Sequence, residues 1–211
     1  MKGQINIDES AGKLIHDISL CENIKNILEI GTWNGMGSTQ CIIKALKKRN
    51  QAVNFTSIEL YPEMYKQAVS NLKDDLRYVN ILNGSIVSEA DLGWFDVSQI
   101  NFSQDLHAQL YYHKDIEYIK TSKNVLQEVQ DEIDFLILDG GEYSTYPEWQ
   151  KLRNKTSIVF LDDTNILKCS RIRSEIIHSN DYFTIKDQSN ERNGYAAFIK
   201  KDQIEKFYLK F

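Results

Sequence analysis

An α/β fold, with a mostly parallel sheet held between helices, is predicted by three observations. A short apolar run around Ile27, Leu28 and Ile30 ends in a turn containing three glycines and passes directly into a helical pattern. Apolar runs of strand length then alternate with stretches of helical spacing along most of the chain. Two later runs, Ile133–Leu138 and Ser157–Leu161, each end in acids, Asp139 in the first case and Asp162 with Asp163 in the second. With 211 residues, 42% hydrophobic and 26% charged, the chain suits one domain, residues 1–211, with a substantial core, and a disordered class is excluded.

Taken in order, residues 9–20 carry Ala11, Leu14, Ile15 and Ile18 at helical spacing, and His16 among them reads as a surface or structural residue. Asn26–Thr39 follows as strand, turn and helix start. Gly31, Gly35 and Gly37 let the backbone bend and approach a ligand, while Ser38 and Thr39 are offered as N-caps to a helix bearing Ile42, Ile43, Ala45 and Leu46. Free N–H groups at that helix start suit an anionic or carboxylate-bearing ligand. A second strand, Val53–Leu60, ends near Glu59, 22 positions after Gly37. A carboxylate there is placed to accept both ribose hydroxyls of a nucleoside, with Leu60 and Tyr61 over its base; the competing reading is that Glu59 favours the dipole of the helix starting at Pro62.

That helix reaches Lys73, with Met64, Ala68, Val69 and Leu72 on one face, and a strand through Tyr78–Leu82 leads to the polar loop Asn83-Gly84-Ser85. Residues 88–122 then break the alternation with Trp94, Phe95, Phe102, Tyr111, Tyr112 and Tyr118 among Asp91, Asp96, Asp105, His107 and His113. So long a connection is expected to be a lid or substrate segment, its aromatics stacking on sugars or ring-bearing acceptors, or else forming a satellite core or homodimer contact. His113 is a candidate general base. Two last strands, Tyr182–Lys186 and Tyr195–Lys200, form a hairpin across the polar stretch Asp187–Gly194.

Glu29-x-Gly31-x-x-x-Gly35-x-Gly37 departs from the dinucleotide fingerprint, because an acid precedes the first glycine. Glu29 would repel a pyrophosphate but suits, directly or through water, an ammonium group. The motif resembles that of class I methyltransferases using S-adenosyl-L-methionine (SAM), and its Glu-Ile-Gly-Thr-x-x-Gly form is most similar to the catechol, caffeoyl-CoA and sugar O-methyltransferases. The resemblance implies a Rossmann-like three-layer sandwich with seven strands, the last antiparallel. It also implies SAM contacts from Glu29, Gly31, Thr32, Trp33, Gly35, Ser38, Glu59, Leu60, Gly84, Ser85 and Asp139, and methyl transfer to a hydroxyl of a small polar acceptor, such as a sugar. An NAD-dependent oxidoreductase and a non-catalytic domain of the same fold are the alternatives. The absence of an Asn/Asp-Pro-Pro-Tyr motif disfavours amino-group methylation.

Asp139, Asp162 and Asp163 are expected to converge at strand ends, where a hard cation such as Mg²⁺ (magnesium) would relieve their repulsion; alternatively, Asp162 and Asp163 cap the helix near Ile166. Relatives carry a lysine or histidine shortly after the fourth-strand acid. This chain has Gly140-Gly141-Glu142-Tyr143 instead, leaving Asp139, Glu142, Tyr143 and His113 as candidate bases.

A net charge of −5 argues against a general nucleic-acid or anionic-membrane surface. Cys21, Cys41 and Cys169 are far apart and read as reduced thiols. With no apolar leader and no stretch of membrane-spanning length, a cytoplasmic protein is expected.

Overall fold

The computed structural model describes residues 5–94 and 106–208. Its elements are α1 (Ser10–Ser19), β1 (Asn26–Ile30), α2 (Ser38–Leu46), β2 (Asn54–Glu59), α3 (Pro62–Asn71), β3 (Asn80–Asn83), α4 (Leu106–Thr121), β4 (Ile133–Leu138), α5 (Thr145–Leu152), β5 (Thr156–Asp162), α6 (Leu167–His178), β6 (Tyr182–Gln188), β7 (Tyr195–Lys200) and the short α7 (Ile204–Phe207). Seven strands form one sheet in the order β3-β2-β1-β4-β5-β7-β6. β1 to β5 pair in parallel, and β7 runs antiparallel to both β5 and β6, so six strands share one direction and β7 opposes them.

Alternation along the central strands makes the three layers. Ile27, Phe135, Ile137, Ile158 and Phe160 face a core shared with Ala11, Ile15 and Ile18 of α1, Ile42 of α2 and Ala68 of α3. Leu28, Leu136, Leu138 and Val159 face the opposite core, closed by Trp149 and Leu152 of α5 and Ile172 and Ile176 of α6. A parallel strand is covered on both faces, which is why these runs are apolar at nearly every position. Each fully buried aliphatic side chain, such as Ile15 or Leu28, contributes roughly 2 kcal/mol of burial. The strand order reverses between β1 and β4, so the crevice outside their carboxyl ends is the natural ligand position.

Two expectations change. Within the stretch 88–122, α4 (Leu106–Thr121) supplies a helix and so continues the alternation, because a chain leaving β3 at one edge must cross over the sheet to reach β4 beyond β1. The helical period is hidden because, among the described side chains of α4, the buried positions are Asp115 and Ile119, one of them charged. Phe95, Asp96, Phe102, Asp105 and the side chain of His107 lie outside the described residues. The second correction is at α2, whose N-cap is Gly37, with no side-chain capping bond. Ser38 and Thr39 are its first helical residues, and the Thr39 hydroxyl donates to buried Glu29 instead. Among the described residues, no helix is long and apolar enough to cross a membrane.

Candidate functional site

A cavity of about 570 Å³ opens at the carboxyl ends of β1, β2 and β4, within the usual range for small-molecule sites. A hollow of about 650 Å³ elsewhere is lined by Arg153, Tyr182 and Lys200, at the opposite end of the strands, and holds neither the glycine turn nor the strand-end acids.

Of the residues expected around a cofactor, Gly31, Thr32, Trp33, Ser38, Glu59, Leu60, Gly84, Ser85 and Asp139 line the cavity. Gly31 has φ +100°, and a Cβ there would lie 2.2 Å from the Asp139 carbonyl oxygen, so only glycine lets the β1 and β4 turns touch. Trp33 takes φ +52°, a left-handed conformation that is unusual for a bulky residue. Its N–H donates to Glu59 Oε2 at 2.6 Å, and the Tyr61 N–H donates to Oε1 at 2.8 Å. Both carboxylate oxygens keep lone pairs for further donors. Burial pushes the Glu59 carboxyl up to about 7, against the pull of those two N–H groups.

Two residues of that set do not line the cavity. Glu29 is fully buried behind the turn, where it accepts from Thr39 Oγ1 at 2.6 Å and Ser57 Oγ at 2.5 Å. Ser57 in turn meets Thr32 Oγ1 at 2.5 Å, so Glu29 knits the turn to β2 and α2 rather than facing a ligand. Its carboxyl is raised by burial, opposed by hydrogen bonds from Ser38, Ser57 and Thr39. Gly35 has φ +80°, and a Cβ there would press on the Leu72 side chain, so its role is to seat the turn on α3.

The three acids do converge: ligand atoms of Asp139, Asp162 and Asp163 all lie within 4.8 Å of one another. Their centre already holds a cation. Lys168, near the start of α6, is 93% buried and places Nζ 2.6 Å from Asp139 Oδ1 and 2.8 Å from Asp163 Oδ2. Arg192 pairs with Asp162 Oδ2 at 3.1 Å, and Asn193 Nδ2 donates to Asp163 Oδ1 at 3.1 Å. Burial alone would lower the Lys168 ammonium, but Asp139, Asp163 and Asp162 outweigh it and raise it well above the ordinary lysine value. Burial also works to raise Asp163, yet Lys168 holds that carboxyl below the usual range. Asp139 is raised by burial and pulled back only in part by Lys168, while burial and then Asp139 push Asp162 to about 7. Three carboxylates facing an ammonium and a guanidinium are largely neutralised, so this donor set, as arranged, does not fit a divalent ion. Helix capping by Asp162 or Asp163 is also not observed, since the N-cap of α6 is Ile166 and no side chain caps it.

The candidate bases separate. Asp139 and Glu142 line the cavity, whereas His113 and Tyr143 do not. His113 sits on α4 beside Tyr112, and Tyr143 is buried edge-on against Tyr112, with ring centroids 4.9 Å apart. Tyr111, one of the aromatics of α4, does reach the cavity, while Trp94 packs on Tyr146 and donates to the Tyr143 carbonyl at 2.9 Å.

Sequence reasoning missed Lys168, Asp115 and Glu148. The last two line the cavity beside Gly140 and Gly141, and a Cβ on Gly141 would lie 2.7 Å from Asp115 Oδ2. Asp115 accepts from the Tyr61 hydroxyl, and burial raises Glu148 to about 8. No local sequence signal ties Lys168 to these acids; its place in the first turn of a helix, where it opposes the dipole, shows only once α6 is seen.

The fold is similar to that of a Staphylococcus aureus protein described as a caffeoyl-CoA O-methyltransferase, with TM-score 0.60 and 18% identity, covering 92% of this chain and 85% of that one. It is similar to an O-methyltransferase from Bacillus cereus in complex with S-adenosylhomocysteine (SAH), with TM-score 0.60 and 14% identity over 93% and 83% of the two chains. A SAH-bound methyltransferase from Podospora anserina gives TM-score 0.60 and 12% identity over 90% and 78%. No family model matches the chain, and no curated protein sequence matches it. At these identities the likeness establishes the fold, which is the Rossmann-like, seven-stranded fold of class I methyltransferases.

Proposed function

We propose that the chain is a SAM-dependent methyltransferase acting on a hydroxyl of a small polar acceptor, such as a sugar. The observation that carries this reading is the cavity wall formed by the Gly31 turn and Glu59, whose two oxygens, already oriented by the Trp33 and Tyr61 N–H groups, suit a pair of ribose hydroxyls. The cavity is sized for the ligand, and Gly31, by letting the β1 and β4 turns touch, brings Glu59 and Asp139 to one wall of it, so the residues fit SAM. The likeness to SAH-bound structures supports the same cofactor.

When bound, SAM supplies a methyl group already activated on a sulfonium. The chain's own residues then bind and align. The start of α2, at Gly37 and Ser38, offers uncapped N–H groups to a carboxylate. Leu60, Gly84 and Ser85 form the wall assigned to the adenine ring. Asp139 Oδ1 is held by Lys168, which leaves Asp139 Oδ2 to take the proton from the acceptor hydroxyl, whose oxygen would receive the methyl group that bound SAM supplies. A carboxyl raised by burial accepts that proton more readily than an exposed aspartate. Glu142 lines the same cavity and is the second candidate for this proton.

On the acceptor side, Asp115 Oδ2 and Glu148 Oε2 are buried without hydrogen-bond partners. Buried polar atoms of this kind favour a hydroxyl-rich ligand, whose O–H groups can both donate and accept, since burial raises the Glu148 carboxyl to about 8 and leaves it mostly protonated at neutral pH. Neither nucleic acid nor a membrane is a partner in this reading, and the compartment proposed is the cytoplasm.

Calorimetric titration with SAH and with NADH tests the cofactor. SAH binding is expected, and binding of NADH alone would replace this reading with that of an oxidoreductase. Screening sugars, nucleotide sugars and phenols for labelled methyl uptake identifies the acceptor; exclusive labelling of nitrogen rejects the hydroxyl. SAH binding with no acceptor methylated favours a non-catalytic binder.

A further inference from the structure

We infer that Lys168 takes the place of a divalent cation at the acid cluster, so that the site works on the protein's own ammonium group. Three observations carry this. Nζ lies at hydrogen-bonding distance from Asp139 and Asp163, two members of the three-acid set whose ligand atoms fall within 4.8 Å of one another. The third member, Asp162, has its own cation in Arg192. The lysine also reaches this point from an unfavourable start, the first turn of α6, where the helix dipole opposes a positive charge and burial removes its water. An arrangement costly in isolation is held here because the carboxylates need a cation and the ammonium supplies one.

The geometry also gives Lys168 work at the cavity, which it lines together with Asp139 and Asp163. An ammonium has three donors. Two go to Asp139 and Asp163, and the third has no hydrogen-bond partner among the described residues. It is available to an acceptor oxygen, stabilising negative charge there as the hydroxyl proton leaves, the role a bound metal would otherwise fill. Lys168 is thus a positioning residue for Asp139 and an electrostatic one for the acceptor. The turnover part of this inference rests on the methyltransferase reading; the metal-binding part does not.

The test uses Mn²⁺ as probe, followed by paramagnetic resonance of the free ion, on the full-length chain and on Lys168→Met, an apolar residue of similar length. The wild type is expected to bind no Mn²⁺ at sub-millimolar concentration and to keep its turnover after exhaustive EDTA treatment. Lys168→Met is expected to bind Mn²⁺ about tenfold more tightly or better, to lose the gain when Asp163→Asn is added, and to keep SAH affinity within about threefold while kcat falls. Added Mg²⁺ is expected to restore part of that kcat, a rescue that a merely structural lysine would not show. Thermal melting establishes whether Lys168→Met folds; if it does not, the wild-type Mn²⁺ and EDTA measurements decide. Wild-type Mn²⁺ binding as tight as the variant's, or turnover abolished by EDTA and restored by Mg²⁺, would overturn the inference. Failure of SAH to bind the wild type removes the methyltransferase reading while leaving the Mn²⁺ comparison intact.

Discussion

The two halves of the cavity wall are built from different materials. At the tips of β1 and β2 the wall is largely backbone: the Gly31 turn against the Asp139 carbonyl, and the Trp33 and Tyr61 N–H groups fixed on Glu59. At the tips of β4 and β5 it is made of side chains arriving from separate segments: Asp139 after β4, Asp163 after β5, Lys168 from α6 and Asn193 from the β6–β7 connection. Backbone geometry leaves a local trace in sequence, because a positive φ or a close approach demands glycine. Convergent side chains leave none, because no short window contains them all. The glycine half is also rigid by construction, whereas the acid half is tuned by charge and can be rewired one residue at a time.

The largest effect expected from breaking this contrast is at Gly31. A Cβ placed 2.2 Å from a backbone carbonyl cannot be relieved by rotating a side chain, and φ +100° is strained for alanine. Gly31→Ala should cost about 3 kcal/mol or more of stability and remove SAH binding, as read by thermal melting and calorimetry. An alanine variant with unchanged melting and affinity would show that the turn relaxes freely and that the backbone half is not rigid.

Next in size is Glu59→Gln, which replaces a charged acceptor of ribose hydroxyls by a neutral amide. A loss of about 1.5 to 3 kcal/mol, roughly 10- to 100-fold in SAH affinity, is expected at pH 8. The pH dependence separates this role from the helix-dipole alternative. With two N–H groups aimed at its oxygens, Glu59 accepts ribose hydroxyls best when ionised, and burial has raised its carboxyl to about 7. Binding therefore releases a proton: wild-type affinity should fall as pH drops below about 7 and level off above it. The Gln variant should lack that slope, and an identical slope in both proteins would remove Glu59 from the ribose contact.

How much was legible follows the same division. The sheet, the antiparallel β7, the glycine turn and Glu59 were readable because each rests on a local pattern: apolar runs, a glycine spacing, an acid at a fixed distance. α4 was unreadable as a helix because Asp115 occupies one of its buried positions while Leu110 and Tyr111 are exposed. The acids were readable as strand-end residues, but not their neutralisation by Lys168, Arg192 and Asn193, which lie 5, 30 and 30 residues beyond their partners Asp163, Asp162 and Asp163. His113 drew notice as a titratable group among aromatics, and only the orientation of α4 shows that it does not line the cavity.

The smallest expected effect tests whether an acid in the signature motif acts on the ligand or on the turn. Glu29 precedes Gly31, and sequence alone assigns it to an ammonium group. In the structure it lies behind the turn, with Oε2 accepting from Thr39 and Ser57 and Oε1 buried without a partner. Burial raises its carboxyl, against the hydrogen bonds from Ser57 and Thr39, so a neutral group of the same shape is tolerated there. Gln keeps one carbonyl oxygen for the two hydroxyls, and its amide nitrogen falls where an unpartnered oxygen now sits. Glu29→Gln should therefore cost about 1 kcal/mol of stability and change SAH affinity about threefold or less, against the 10- to 100-fold expected for Glu59→Gln. Calorimetry on the two variants side by side makes the measurement. A loss at Glu29 as large as that at Glu59, with melting unchanged, would mean that its charge reaches the ligand through the turn, and the backbone half would then owe its affinity to a buried anion as well as to its geometry.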